Sequence, residues 1–164
     1  VSLTAIETQG HAIHHHSWSA QLNNEHICFT GDVAGMRIPQ CEAITIPFAP
    51  PEVDLEAWHS SLDRIATLKS DALFLTHSGR AESPAEHLQR THDLLEEESS
   101  EIIRILEDPS FDEKERISTY RTHAIARAIQ SGAPPELAKA HISEGHAIMN
   151  LMGIARYKKR KSRG

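Results

Sequence analysis

Three short runs place chemistry-bearing side chains where strand-like stretches give way to loops: Gly10-His11, Gly31-Asp32 and Thr76-His77. Two imidazoles and one carboxylate are donor types from which hydrolytic metal sites are built. The three lie tens of residues apart, so only a tertiary fold could gather them; a local metal clip is excluded. Taken singly, each has an ordinary explanation. Asp32 would cap a turn through its own backbone, and His77 would be a turn histidine. Their shared context, a strand followed by a polar ligand and then a loop, argues for a site, because sheet-based folds gather their sites at strand ends.

The run Gly10-His11-Ala12-Ile13-His14-His15-His16 carries four imidazoles within six residues. Glycine permits a sharp turn that would aim His11 off the strand end. Adjacent side chains diverge, so all four cannot bind one ion. His11 is the candidate ligand, and His14, His15 and His16 are assigned to orienting ligands, lining a pocket or contacting substrate. Arg37 is a candidate partner for a substrate carboxylate or phosphate, against the alternative of a solvated loop arginine.

Residues 2–7 and 26–30 read as strands, with a shorter strand at 18–22 and a hairpin turn at Asn23-Asn24. Residues 33–53 hold four of the eight prolines and little periodicity, which predicts a long, ordered loop of functional character. Asp54 should cap a helix with Leu55, Trp58, Leu62 and Ile65 on one face. Ala72 to Thr76 follows as a compact apolar strand. Ser83-Pro84-Ala85-Glu86 predicts a capping box with proline at the first helical position. Its helix carries Leu88, Leu95, Ile102 and Leu106 and stops at Asp108-Pro109. The spacing predicts a further helix over 112–130, ended by Gly132, with Ile117, Tyr120, Ala124 and Ala128 inward. A last helix after Pro134-Pro135 should carry Leu137, Ile148 and Met152, with Gly153 near its end. The order strands, helix, strand, helices gives an α/β unit over 1–108, a helical extension over 109–155 and a basic tail over 156–164.

Composition fits a soluble globular chain, with 39% hydrophobic and 24% charged residues. No apolar run approaches the ~20 residues of a membrane helix, so no membrane is expected. The two cysteines make no disulfide framework, and a cytoplasmic location is expected. The chain begins with Val1 and enters a strand almost at once, as a fragment or processed product would. Net charge is −6, yet six cations crowd into 156–164. The acidic remainder is a poor nucleic-acid platform, and the basic segment reads as a solvated tail.

Together, Glu7-Thr8-Gln9-Gly10-His11, Phe29-Thr30-Gly31-Asp32 and Phe74-Leu75-Thr76-His77-Ser78-Gly79 resemble the C-terminal half of a metallo-β-lactamase-fold hydrolase, over roughly Thr4 to Leu95. The amphipathic helix around Trp58 and Leu62 fits the same pattern. The resemblance implies half of an αββα sandwich, followed here by the helical extension. It also implies a dinuclear metal site, most often two zinc ions, with iron or manganese compatible with the ligand types. On that pattern His11 would ligate one metal, Asp32 would bridge both, and His77 would ligate the second. The turn after His11 departs from the family's usual glycine-histidine-threonine-proline-glycine. The family's His-x-His-x-Asp-His motif is absent from the chain, which leaves about half a metal site. One sheet of a sandwich should also expose its inner apolar face.

The implied activity is metal-dependent hydrolysis of an ester, thioester, lactone or amide-type small molecule, with hydroxide generated by the metals and Asp32 orienting it. The competing reading is a non-catalytic half-domain or a helical interaction module. The helical extension could cover the pocket or form a homodimer.

Overall fold

In the computed structural model, which describes residues 2–163, Asn23 and Asn24 turn the chain between β2 (His16–Leu22) and β3 (Glu25–Gly31). Both residues have positive φ, 48° and 68°, a two-residue turn conformation that asparagine tolerates and that matches strand twist. β1 (Leu3–Glu7) pairs antiparallel with β2, from Leu3↔Ala20 to Glu7↔His16. β3 runs parallel to β6 (Ala72–Leu75), and β7 (Gly79–Ala81) pairs antiparallel with β6. The sheet order is therefore β1-β2-β3-β6-β7. A parallel pair needs a crossover connection, and residues 32–71 supply it.

That crossover is more structured than the expected loop. It contains a two-stranded ribbon, β4 (Met36–Arg37) with β5 (Ile44–Thr45), and then α1 (Leu55–Thr67). Val33, Ala34, Ile38, Ile44, Ile46, Phe48 and Val53 are all buried. Their apolar side chains, and not turn propensity, hold the segment in place. Asp54 caps α1 by accepting from Ala57 N at 3.0 Å, and Trp58, Leu62 and Ile65 point inward.

α2 (Pro84–Glu107) begins at Pro84 as the sequence suggests, but the expected capping box is not formed. Ser83 lies at φ −116°, ψ 75° and makes no side-chain cap bond. The reciprocal box is found one helix later. The Asp112 side chain accepts from Glu115 N and Glu115 accepts from Asp112 N, both at 2.8 Å, opening α3 (Glu113–Gln130).

The single helix expected after Pro134-Pro135 is two helices, α4 (Pro135–His141) and α5 (Glu144–Lys161). Ser143 accepts from His146 N and starts the second, while Ile142 is buried at the joint. Ile148 and Met152 are 37% and 47% exposed, so they face outward instead of inward. The buried face of α5 is Ala147, Asn150, Leu151, Gly153 and Ile154. Gly153 does not end the helix. A Cβ there would lie 1.9 Å from the Phe48 carbonyl oxygen, so α5 rests directly on backbone at this point.

The basic segment is corrected too. Up to Lys161 it is helix, not a solvated tail. Lys158 pairs with Glu107, Lys161 with Glu56 at 2.7 Å, and Arg160 donates to the carbonyls of Pro51 and Val53. Three cations are thus held by acceptors on α2, α1 and the loop before α1.

One apolar core runs from Cys28 to Ile154 and joins one sheet face to the helices. Strand alternation sends Leu3, Trp18, Ala20, Ile27, Phe29, Ala72 and Phe74 to the other face. There Ala20, Ile27 and Ala72 form a small cluster of their own, and Leu3, Trp18 and Phe29 are 56%, 44% and 37% exposed. Among the described residues no layer covers this face, as expected for one sheet of a sandwich. No helix of the described residues is long and apolar enough to cross a membrane.

Candidate metal centre

His11, Asp32 and His77 converge at one end of the sheet. The Nε2 atom of His11 lies 3.7 Å from Asp32 Oδ2, and that of His77 lies 3.6 Å from Asp32 Oδ1. Each carboxylate oxygen therefore faces a different imidazole. His11 and Asp32 are largely sheltered, with side chains 17% and 26% exposed, while His77 is 63% exposed.

Each residue is fixed by its surroundings. Gly10, at φ 135°, lies against α1, where a Cβ would meet the Trp58 backbone at 2.4 Å. Its carbonyl accepts from Asp54 N at 2.8 Å, which ties the end of β1 to the start of the helix. The His11 ring then stands edge-on to Trp58, with centroids 5.6 Å apart, and Trp58 Nε1 donates to Val33 O at 2.6 Å. His11 Nδ1 lies 3.0 Å from the Pro47 carbonyl. A carbonyl can only accept, so Nδ1 carries a proton and Nε2 is the nitrogen that faces Asp32.

Asp32 follows an irregularity in the β3–β6 ladder between Phe29 and Gly31. Gly31 has φ 61°, and a Cβ there would lie 2.3 Å from His15 Nε2. The absent side chain is what lets His15 Nε2 accept from Asp32 N at 3.0 Å. His15 Nδ1 is then the protonated nitrogen and donates to Thr8 Oγ1 at 2.9 Å. Thr8 continues to Ser17 Oγ at 3.0 Å, and Ser17 donates to Thr30 O at 3.0 Å. Burial, aided by the nearby His11 ring, holds the His15 pKa below its usual value, so the ring stays neutral. With both nitrogens used in this way, His15 orients the Asp32 backbone and is not a ligand.

His77 occupies the left-handed region at φ 71° in the turn between β6 and β7. That conformation is uncommon for a residue with a Cβ, and it turns the ring toward Asp32. Ser78 beside it accepts from Arg37 N at 2.8 Å, stitching the turn to β4. Arg37 itself is 15% exposed and pairs with Glu42 at 3.4 Å. It shares a recess of about 480 Å³ with His77, Gln40 and Cys41.

The remaining histidines of the first loop sit elsewhere. His14 is exposed and lies 3.7 Å from Glu52, and His16 Nδ1 donates to His14 O at 2.9 Å. Together with His11, Asp32, Trp18 and Pro50 they line a cleft of about 630 Å³. Sequence reasoning missed three contributors to this geometry. Thr8 stands just past the first strand as an ordinary polar residue, Pro47 acts through its carbonyl and leaves no side-chain signal, and Asn150 bonds the backbone on both sides of Pro47 from far along the chain. Only Asn150 carried a legible clue, a polar residue within the apolar stripe of its helix.

Two facing lone pairs on nitrogen and carboxylate oxygen repel unless a cation or proton lies between them. The His11–Asp32 and His77–Asp32 pairs therefore fit a carboxylate that bridges two divalent ions, each also held by one imidazole. The fit is partial. Among the described residues no three histidine, cysteine, aspartate or glutamate side chains gather around one ion.

The fold has close counterparts among solved structures. It superposes on an archaeal metallo-β-lactamase superfamily protein, ST1585 from Sulfolobus tokodaii, with a TM-score of 0.52 at 22% identity, over 93% of this chain and 45% of that one. It also superposes on a metallo-β-lactamase family protein, TTHA1429 from Thermus thermophilus, with a TM-score of 0.56 at 15% identity, over 98% of this chain and 44% of that one. No protein-family model and no curated protein matches the sequence. The chain thus has one half of the metallo-β-lactamase fold and spans just under half the length of these counterparts.

Proposed function

We propose that this chain supplies one half of a binuclear, metal-dependent hydrolase centre acting on a small ester, thioester, lactone or amide-type substrate. The observation that carries the reading is the division of Asp32, one oxygen to His11 and one to His77, with His11 held from behind by the Pro47 carbonyl and the Asp32 main chain by His15. His11 and Asp32 would hold one ion, and Asp32 and His77 the other. Zinc suits this mixture of nitrogen and oxygen donors, and iron or manganese is compatible with it.

When bound, divalent ions would supply Lewis acidity at the substrate oxygen and a water acidified toward neutrality. The chain's own residues do the rest. Pro47 keeps the His11 proton on Nδ1, away from the donor nitrogen. His15 pins the Asp32 main chain and so fixes the point from which the carboxylate projects into the cleft. Trp58 closes the floor against water, and the cleft bounded by Trp18 and Pro50 receives the substrate. A second sheet, laid on the uncovered face, would bring the donors that this half lacks.

Cobalt and zinc titrations test the reading. Each ion meets two of the four ligands that tetrahedral zinc takes, so the chain should bind weakly, with Kd above about 1 μM. His11→Ala, Asp32→Ala and His77→Ala should each weaken binding further, Asp32→Ala most because it touches both ions. Binding that is indifferent to all three variants would refute the assignment. The lack of a third donor among the described residues favours a second reading, a non-catalytic half-domain. That reading gains if a longer chain with the second sheet still binds less than one ion per chain.

A further inference from the structure

The helical segment does more than cover the core. Asn150, wholly buried on α5, places its carboxamide along the backbone of residues 46–48. Its Oδ1 accepts from Phe48 N at 3.0 Å, and its Nδ2 donates to Ile46 O at 2.9 Å. The side chain thus mimics a neighbouring strand and pairs the main chain on both sides of Pro47. Pro47 has no N–H of its own to anchor it, yet its carbonyl is the group that accepts from His11 Nδ1 at 3.0 Å. Two further features hold Asn150 in place. Tyr120 Oη accepts its second N–H at 2.8 Å, and Gly153 one turn on lets α5 lie against the Phe48 carbonyl.

We infer that Asn150 is a positioning residue for the metal centre: through the backbone of Ile46-Pro47-Phe48 it fixes the ring orientation and tautomer of His11. This extends the metal-site reading, because a ring held as the Nδ1–H form presents Nε2 as the donor. Groups behind a ligating histidine commonly set both its tautomer and the affinity of its site. The helices beyond residue 108 therefore belong to the site as much as to the core.

The test is nitrogen-15 NMR of the histidine rings in the full chain without metal, at alkaline pH where the imidazoles are neutral, alongside cobalt titration. In the wild type His11 should be a single Nδ1–H tautomer, and the Phe48 amide should be among the slowest to exchange. Asn150→Ala should turn His11 into an exchanging mixture of tautomers and weaken cobalt binding by up to about tenfold. The ring of His87, whose Nε2 bonds Ala34 O independently of α5, should stay unchanged and serves as the check of folding. Asn150→Asp keeps the acceptor for Phe48 N and loses the donor to Ile46 O, so it should give a smaller shift if the alanine variant does not fold. Ile27→Val lowers stability in the separate cluster on the other sheet face, away from Asn150 and residues 46–48, and should leave the His11 tautomer alone.

The inference is overturned if His11 is already mixed in the wild type, if either folded Asn150 variant leaves it unchanged, or if Ile27→Val disturbs it equally. The two readings separate cleanly. A tautomer that responds to Asn150 in a chain that binds no cobalt would keep the positioning role and remove the metal centre.

Discussion

Replacing Gly31 by alanine tests the arrangement around Asp32 most directly. Two penalties should combine. The first is conformational: at φ 61° an L-residue sits in the left-handed region, which costs about 1–2 kcal/mol. The second is steric, since the new Cβ would fall 2.3 Å from His15 Nε2. The ring must withdraw, breaking its bond to Asp32 N and disturbing the Thr8–Ser17 chain, at about 0.5–1.5 kcal/mol for the lost hydrogen bond. Gly31→Ala should therefore cost roughly 1.5–3.5 kcal/mol. Gly79 supplies the control, because it shares a positive φ of 76° but a Cβ there meets nothing within 4 Å. Gly79→Ala should carry only the conformational part. Urea unfolding with unchanged slope measures both. In a His15→Ala background the Gly31→Ala penalty should shrink by about 1 kcal/mol, the coupling expected of residues in contact. Equal costs at Gly31 and Gly79, or no coupling to His15, would show that the ring does not stand where this reasoning puts it.

Two further perturbations probe other parts of the molecule. Arg160→Ala should destabilise the chain by about 1–2 kcal/mol, because the guanidinium bonds two carbonyls in the loop before α1; Arg163→Ala should leave the urea midpoint unchanged, and equal effects would contradict the docking of α5. Burial pushes the pKa values of His87 and His146 down to about 4. Their unfolded forms take up protons near pH 6.5 while the folded forms do not, so their contribution to stability is intact above pH 6.5 and is lost as pH falls toward 4. The slope should reach about 1.4 kcal/mol per pH unit for each group, and a urea midpoint that stays flat between pH 7 and 5 would show the rings to be accessible.

The strands, the turn at Asn23-Asn24 and the helix after Asp54 were readable because local chemistry and periodicity agree there. The uncovered sheet face was readable from the family resemblance, and the structure shows it in Trp18 and Phe29. What the sequence concealed lies in tertiary geometry. Residues 33–53 lack a period because their apolar side chains anchor an irregular path, so burial had no pattern to leave. Ile148 and Met152 have helical spacing, but the stripe that faces inward is offset from them and contains Asn150. The basic segment has the composition of a tail, and nothing local reveals that Glu56, Glu107 and two carbonyls await it. At the centre, residue types pointed to His11, Asp32 and His77, whereas His15 and Pro47 act through a ring acceptor and a main-chain oxygen whose partners are set by folding.

The bonds from Asn150 to Ile46 and Phe48 join residues 104 and 102 positions apart. At about 5–20 residues per second of synthesis, α5 leaves the ribosome on the order of 5–20 s after the loop it clamps. A nascent chain therefore carries His11 and Asp32 for seconds before the residue that sets the His11 ring has been made. Any chain halted before Asn150 would own the donors but not their alignment. Synthesis through Asn150 is thus built into the centre as a condition for its final geometry.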